Sequence, residues 1–222
     1  MAFTDKTHPN KQPRTLVMFS GGIDSTAALW HVLNHPEEYG QVHVHHIHME
    51  NVEARWQAEA EAVKKVLGYM RSHAPVQFSV SESAINTPHF GKQFLFDSEV
   101  ISFITGYMTS RDPLISKVVI GATGTDFADG ASDAVARGKR IHNAFHPPNK
   151  DHSGAIKEYP LAKLTKKQVF ETLPSDLAML TWSCRTPRYI DGAPRECGRC
   201  KTCELELQGL ARPEQAGKKT RR

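Results

Sequence analysis

RTLVMFSGGIDSTAALWHVL, residues 14–33, passes from an apolar run through a loop of small polar residues into a helical pattern. "RTLVMF" reads as a buried strand of apolar and β-favouring residues ending at the glycines. From Asp24 the apolar positions Ala28, Leu29, Val32 and Leu33 recur at helical spacing, and "NHPEEYG" stops the helix. Gly21 and Gly22 let the backbone turn sharply and come close to a ligand. The N–H groups of the loop and the new helix point outward unpaired, the helix dipole favours an anion, and Ser20 and Ser25 add hydroxyl donors. Phosphate or pyrophosphate is the natural occupant; a bare turn in which Asp24 only caps the helix is the competing reading. Neither the Gly-Lys-Ser/Thr of a Walker A loop nor the dinucleotide G-x-G-x-x-G follows, so the loop is of another kind.

Outward from this loop the chain keeps a strand–helix rhythm. "QVHVHHIHM" suits a second strand, and "EARWQAEAEAVKKVLGY" carries Ala54, Ala58, Ala62 and Val66 on one helical stripe, a crossover back to "VQFSV". Asp97 to Met108 reads as another helix, with Val100, Ile101, Ile104, Tyr107 and Met108 on one face, and "KVVIGATGTD" as a further buried strand opening into a small-residue loop. Between Asp126 and Lys157 periodicity is lost and the stretch reads as a long irregular binding loop, before a helix from about Thr165 to Leu173. The fold class that follows is α/β, a Rossmann-like parallel sheet flanked by helices. In the second strand His43 and His45 fall on one face and His46 and His48 on the other, so no single face gathers a metal set. The backbone of Ile47 to Met49, at the carboxyl end of that strand, is where an open α/β sheet contacts adenine.

Of the 222 residues 39 % are hydrophobic and 23 % charged, as in a soluble globular protein, and no apolar run approaches a membrane span. The N-terminal "MAFTDKTHPNKQPR" lacks the apolar core of a secretory signal, so a cytoplasmic location with reduced thiols is expected. The net charge of +4 sits in the tail: Lys218, Lys219, Arg221 and Arg222 lie in the last five residues, leaving 24 cationic and 24 anionic side chains elsewhere. Bulk charge therefore gives no argument for a nucleic-acid partner.

The four cysteines, Cys184, Cys197, Cys200 and Cys203, all lie in "TWSCRTPRYIDGAPRECGRCKTC". Four thiolates at this spacing can surround one tetrahedral Zn2+ at about 2.3 Å per bond, with no coordination position left for water. Such a site is structural. Two disulfides would need an oxidising compartment.

"SGGIDS" resembles the pyrophosphate loop of the ATP pyrophosphatase (PP-loop) superfamily, which splits ATP between its α and β phosphates and leaves AMP on the substrate. That loop followed by "GATGTD", "YPLAKLTKKQVF" and finally "TWSC…CGRCKTC" is similar to the 7-cyano-7-deazaguanine synthase family over residues 15 to about 210. The resemblance implies an adenine nucleotide alpha-hydrolase-like domain over residues 14–180 and a four-cysteine zinc knuckle over 181–211. A flexible N-terminus over 1–13 and a basic tail over 212–222 flank them. It implies an ATP-dependent carbon–nitrogen ligase of queuosine biosynthesis that adenylates the carboxylate of 7-carboxy-7-deazaguanine and displaces AMP with ammonia. A second ATP then activates the amide oxygen for elimination to the nitrile. ATP would lie on Phe19, Ser20, Gly21, Gly22, Ile23, Asp24, Ser25, Thr26 and Met49, with Mg2+ at Asp24. Lys166 would be a second cation on the phosphates, Arg55 with Glu59 the family's Arg…Glu pair, and Asp126 and Asp133 the pocket residues reading a guanine-like base. The partners implied are a small-molecule deazapurine carboxylate and ammonia, with the protein a homodimer.

The substrate half departs from the family pattern. "NVEARW" stands for Tyr-Gly-Gln-Arg and "HFGKQF" for a stretch with an Arg-Asn pair, and "FADGASDAVARGKR" lacks the Cys-Arg that follows the aspartate. Three competing readings stay in view: an enzyme stopping at the amide, a PP-loop enzyme acting on another deazaguanine or a tRNA base, and a non-catalytic zinc module that binds nucleic acid.

Overall fold

The structure, a computed structural model, describes residues 12–87, 97–128, 132–146 and 155–207. Residues 1–11 of the expected N-terminal segment over 1–13, the whole expected tail over 212–222 and the "HFGKQF" departure lie outside these. The chain alternates strands and helices: β1 Arg14–Phe19, α1 Ile23–Leu33, α2 Pro36–Tyr39, β2 Gln41–Glu50, α3 Trp56–His73, β3 Phe78–Asn86, α4 Asp97–Arg111 and β4 Ile115–Ile120. It continues with α5 Gly124–Ala128, α6 Ser132–Asn143, β5 Ile156–Glu158, α7 Lys166–Glu171 and α8 Ser175–Ala178, and ends in a β6 Arg188–Ile190, β7 Ala193–Arg195 hairpin and α9 Lys201–Leu207. The five principal strands form one parallel sheet in the order β3-β2-β1-β4-β5. The expected Rossmann-like sheet is therefore what forms.

Alternation along β1 divides the core between the two sheet faces. Val17 and Phe19 pack with the apolar side chains of α1, α3, α7 and α8, while Leu16 and Met18 pack with Ile47, Met49, Val118 and α4's Val100. Because both faces are covered, β1 is almost wholly buried, which explains its unbroken apolar run. From β1 the chain winds outward through β2 and β3, then returns to the far side of β1 to lay down β4. The strand order thus reverses between β1 and β4, and ligands in open α/β sheets bind in the crevice at such a point. The loop after β1 opens there.

Two sequence expectations give way. Ala54 is not on the α3 stripe: it stands before the helix with φ 51°, turning the chain so that Arg55 caps α3. The supposedly irregular stretch after Asp126 contains α5 and α6. Gly138 there serves helix packing rather than a loop: a Cβ on it would stand 2.7 Å from the Ser102 hydroxyl on α4, and from the α4 side one on Gly106 would stand 2.7 Å from the His142 carbonyl. On β2 the histidines divide as alternation requires, and His43 and His45 hydrogen-bond Ser79, Ser81 and Ser83 of β3 at 2.7–3.0 Å. No helix among the described residues is long and apolar enough to cross a membrane.

Candidate functional site

The Ser20–Ser25 loop is held on three sides by backbone. Gly21, at φ +77°, presses on α3, where a Cβ would meet Val63 at 3.0 Å, and its carbonyl accepts the Trp182 N–H at 3.0 Å. Gly121, at the end of β4, lies so close to the start of α1 that a Cβ would come within 2.7 Å of the Asp24 carbonyl and the Ser25 nitrogen. Inside the loop the Ser25 hydroxyl accepts from the Ser20 N–H at 3.2 Å and donates to the Gly22 carbonyl at 3.0 Å, while Ser20 Oγ lies 3.0 Å from Ser25 Oγ. Gly22, the N-cap of α1, has no side chain to satisfy the helix N–H groups. The N-terminus of an 11-residue helix is left open at the switch point.

Lys166 arrives from α7. Thr165 caps that helix through a complete capping box with Gln168, fixing the residue that follows, and the Gly124 N–H donates to the Leu164 carbonyl at 2.9 Å. Lys166 Nζ then bonds Asp24 Oδ2 and lies 3.4 Å from Asp126 Oδ2. Asp24 Oδ1 is buried and has no hydrogen-bond partner among the described residues. Burial raises the Asp24 pKa, with Lys166 pulling against it. Asp126 is held the other way: burial would raise it, but the Thr123 N–H and hydroxyl at 2.9 and 2.7 Å, with Lys166, bring it below the usual range. Asp126 is thus committed to its own turn and to Lys166. Asp133 is exposed on the first turn of α6 and does not reach the cleft walls. Thr26 is fully buried behind the loop, and Phe19 offers its carbonyl to His46 Nδ1 at 2.8 Å.

A cleft of about 210 Å³ runs from this loop to a second charged wall. Arg55, 7 % exposed, sits within 2.9 Å of Glu53, 3.2 Å of Glu59 and 2.6 Å of Asp97, each carboxylate facing a different guanidinium nitrogen. Arg185, 44 % exposed, reaches Glu53 and Asp97 only at 3.3 Å. Burial lifts the Glu59 carboxyl to about 7 despite Arg55 beside it. For Asp97 burial is outweighed by Arg55 and Arg185, which hold its carboxyl down. A smaller apolar lobe of about 80 Å³ adjoins the cleft, walled by Met18, Ile47, Met49, Ile101 and Ile120.

Sequence reasoning placed the loop, Asp24, Lys166, Arg55 and Met49, and the structure brings them around one cleft. It missed Asp97 and Arg185. Asp97 looks like any acidic residue in a helix's first turn, but Arg185 follows a cysteine directly, which places it beside whatever the cysteines hold.

The four cysteine sulfurs lie within 4.8 Å of one another, with Cys197–Cys203 at 4.0 Å and Cys200–Cys203 at 3.4 Å. Burial pushes the Cys184 thiol up to about 11. Burial acts on Cys197 too, but the Thr186 hydroxyl at 3.2 Å and the N–H groups of Arg199 and Cys200 at 3.5 and 3.3 Å draw it down to about 6. Hydrogen bonds to sulfur are the usual outer support of a thiolate metal site. The same segment builds the cleft: Trp182, Ser183, Arg185 and Thr202 line it, and the Thr202 hydroxyl donates to the Ser183 carbonyl at 2.7 Å.

Comparison with known proteins agrees with this arrangement. Residues 14–214 match the model of the queuosine biosynthesis protein QueC. The chain belongs to the QueC family. It is 27 % identical to a 7-cyano-7-deazaguanine synthase from Pyrococcus abyssi (strain GE5 / Orsay), over 89 % of this chain and 92 % of that protein. Its fold is similar to that of the U34-tRNA thiolase NcsA from Methanococcus maripaludis, solved with its [4Fe-4S] cluster. There the TM-score is 0.52 at 10 % identity, covering 89 % of this chain and 64 % of the thiolase. The QueC match takes in the Ser20–Ser25 loop and all four cysteines, so both halves of the cleft fall inside the family's span.

Proposed function

We propose that this QueC-family chain is an ATP-dependent carbon–nitrogen ligase that converts 7-carboxy-7-deazaguanine and ammonia to 7-cyano-7-deazaguanine through an adenylated carboxylate and an amide. The observation that carries the reading is the loop after β1. It is an open helix N-terminus flanked by Lys166 and by an Asp24 oxygen without a partner among the described residues, and it lies next to an apolar lobe of the right chemistry for adenine.

ATP laid in this orientation puts its pyrophosphate on the loop and its base among Met18, Ile47 and Met49. The α-phosphate then faces the Arg55–Arg185 wall, from which the carboxylate approaches. Attack of a carboxylate oxygen on the α-phosphorus breaks the bond to the β-phosphate oxygen, and pyrophosphate leaves into the loop. Fixed N–H donors and Lys166 meet that charge as it develops, the kind of preorganised stabilisation worth most in a closed site. The partnerless oxygen of Asp24, with phosphate oxygens, would be an oxygen donor set suited to Mg2+, which would neutralise phosphate charge. Ammonia displaces AMP from the acyl carbon, and a repeat of the activation on the amide oxygen opens the route to the nitrile. No cysteine is required as nucleophile.

The cysteines fit a single Zn2+, because a tetrahedron with bonds of about 2.3 Å has edges of about 3.8 Å, near the observed sulfur separations. An ion there would hold Trp182, Ser183 and Arg185 against the cleft. Incubation with ATP, ammonia and 7-carboxy-7-deazaguanine, read by mass spectrometry, tests the proposal. Nitrile is the expected product, and amide alone moves the endpoint one step back. Absence of any ATP-dependent product overturns the substrate assignment.

A further inference from the structure

Cys184 faces the other cysteines, while its neighbours on both sides, Ser183 and Arg185, face the cleft. Ser183 Oγ is buried and has no hydrogen-bond partner among the described residues, although its carbonyl is satisfied by Thr202. A buried hydroxyl left unbonded costs free energy until something fills its place. Arg185 differs from the other cations of the cleft. Arg55 is 7 % exposed and has a carboxylate within 3.2 Å of each of its three nitrogens, and Lys166 is bound to Asp24. Arg185 is 44 % exposed, and its three charged contacts, one nitrogen to both Glu53 oxygens and another to Asp97, are all at 3.3 Å, longer than the 2.7–2.9 Å of a strong charged bond. Its backbone is fixed all the same, since the Arg185 N–H hydrogen-bonds the sulfur of Cys200.

A guanidinium with loose contacts on a fixed backbone, two residues from an unbonded hydroxyl, suits a planar two-oxygen anion that can replace Asp97 and Glu53 as its partner. We propose that Ser183 and Arg185 bind the carboxylate of the substrate, and that the cysteine site, by holding Cys184 and Cys200, sets the position of this pair. The inference rests on the reading of the cleft as a carboxylate-activating site and names the residues that select the charge. A phosphate of ATP is the other anion that the pair could meet, and the experiment separates the two.

Binding to the metal-loaded full-length protein is measured by calorimetry for three ligands: 7-carboxy-7-deazaguanine, its uncharged 7-amide, and a non-hydrolysable ATP analogue. The wild type is expected to prefer carboxylate over amide about tenfold or more. Arg185→Gln should abolish that preference, Arg185→Lys restore part of it, and Ser183→Ala weaken it severalfold, all with nucleotide affinity and metal content unchanged. Retained preference in Arg185→Gln overturns the proposal and leaves the proposed function standing. Loss of nucleotide affinity in that variant assigns the guanidinium to ATP and also overturns it. A wild type that binds neither deazapurine overturns the substrate reading and this inference with it.

Discussion

At one wall of the cleft Lys166 meets Asp24, with Asp126 at 3.4 Å, so two carboxylates face one ammonium, and an Asp24 oxygen has no hydrogen-bond partner among the described residues; on the facing wall Arg55 has a carboxylate within 3.2 Å of each guanidinium nitrogen, although its Nε makes no hydrogen bond among them. The first wall is incomplete without a ligand, while the second is largely complete in itself and acts as a frame. An incomplete wall should lose chemistry when mutated and keep its fold; a self-compensated one should lose stability first.

Removing the proposed metal attacks both. Chelation, or Cys197→Ala, should release the segment from Trp182 to Thr202 from the cleft and remove a binding free energy on the order of 10 kcal/mol from folding of that segment. A metal assay, together with protease cleavage between residues 182 and 203, checks this. Arg55→Met should come next, destabilising by about 3–5 kcal/mol because three carboxylates lose the cation among them. Urea unfolding measures it, and the loss should shrink towards pH 5 as Glu59 takes up a proton. Asp24→Asn should lower the rate of AMP formation by roughly 10²-fold with a stability change below about 1 kcal/mol, the reverse balance of effects.

Glu59→Gln gives the smallest effect and a definite sign. The Glu59 carboxyl titrates near 7 in the fold and near 4.5 in the unfolded chain, so native Glu59 favours folding most below pH 4.5 and that contribution is lost as pH rises through 7. The Glu59→Gln variant should therefore match the wild type at pH 4 and be more stable at pH 8, by on the order of 1–3 kcal/mol. Thermal unfolding across that range reads it, and a variant less stable at pH 8 contradicts the assignment.

The two walls also differ in how much of each can be read from sequence. The loop lies in one contiguous stretch whose glycines, serines and flanking periods all point the same way, and the Thr165–Gln168 box announces the helix that carries Lys166. The four cysteines identify themselves by spacing. The facing wall joins Arg55 to Asp97 across 42 positions of chain and Glu53 to Arg185 across 132, and no local pattern encodes such a contact. α6 escapes a sequence reading for a related reason. Gly138 weakens a helical pattern, yet the close approach of α4 leaves no room for a side chain there.

The position of β1 in the sheet bears on the order in which the molecule assembles. β1 pairs with β2, about thirty residues on, but with β4 only after about a hundred, from Thr15↔Lys117 to Met18↔Ile120. Near contacts form sooner because less chain entropy is lost in closing them. The unit from β1 through β3 is therefore expected to fold first and β4 to dock late, bringing Gly121 against Asp24 and Ser25. The proposed nucleotide binding should therefore appear only after β4 has docked, and a fragment ending before β4 should show parallel-sheet structure but no affinity for ATP.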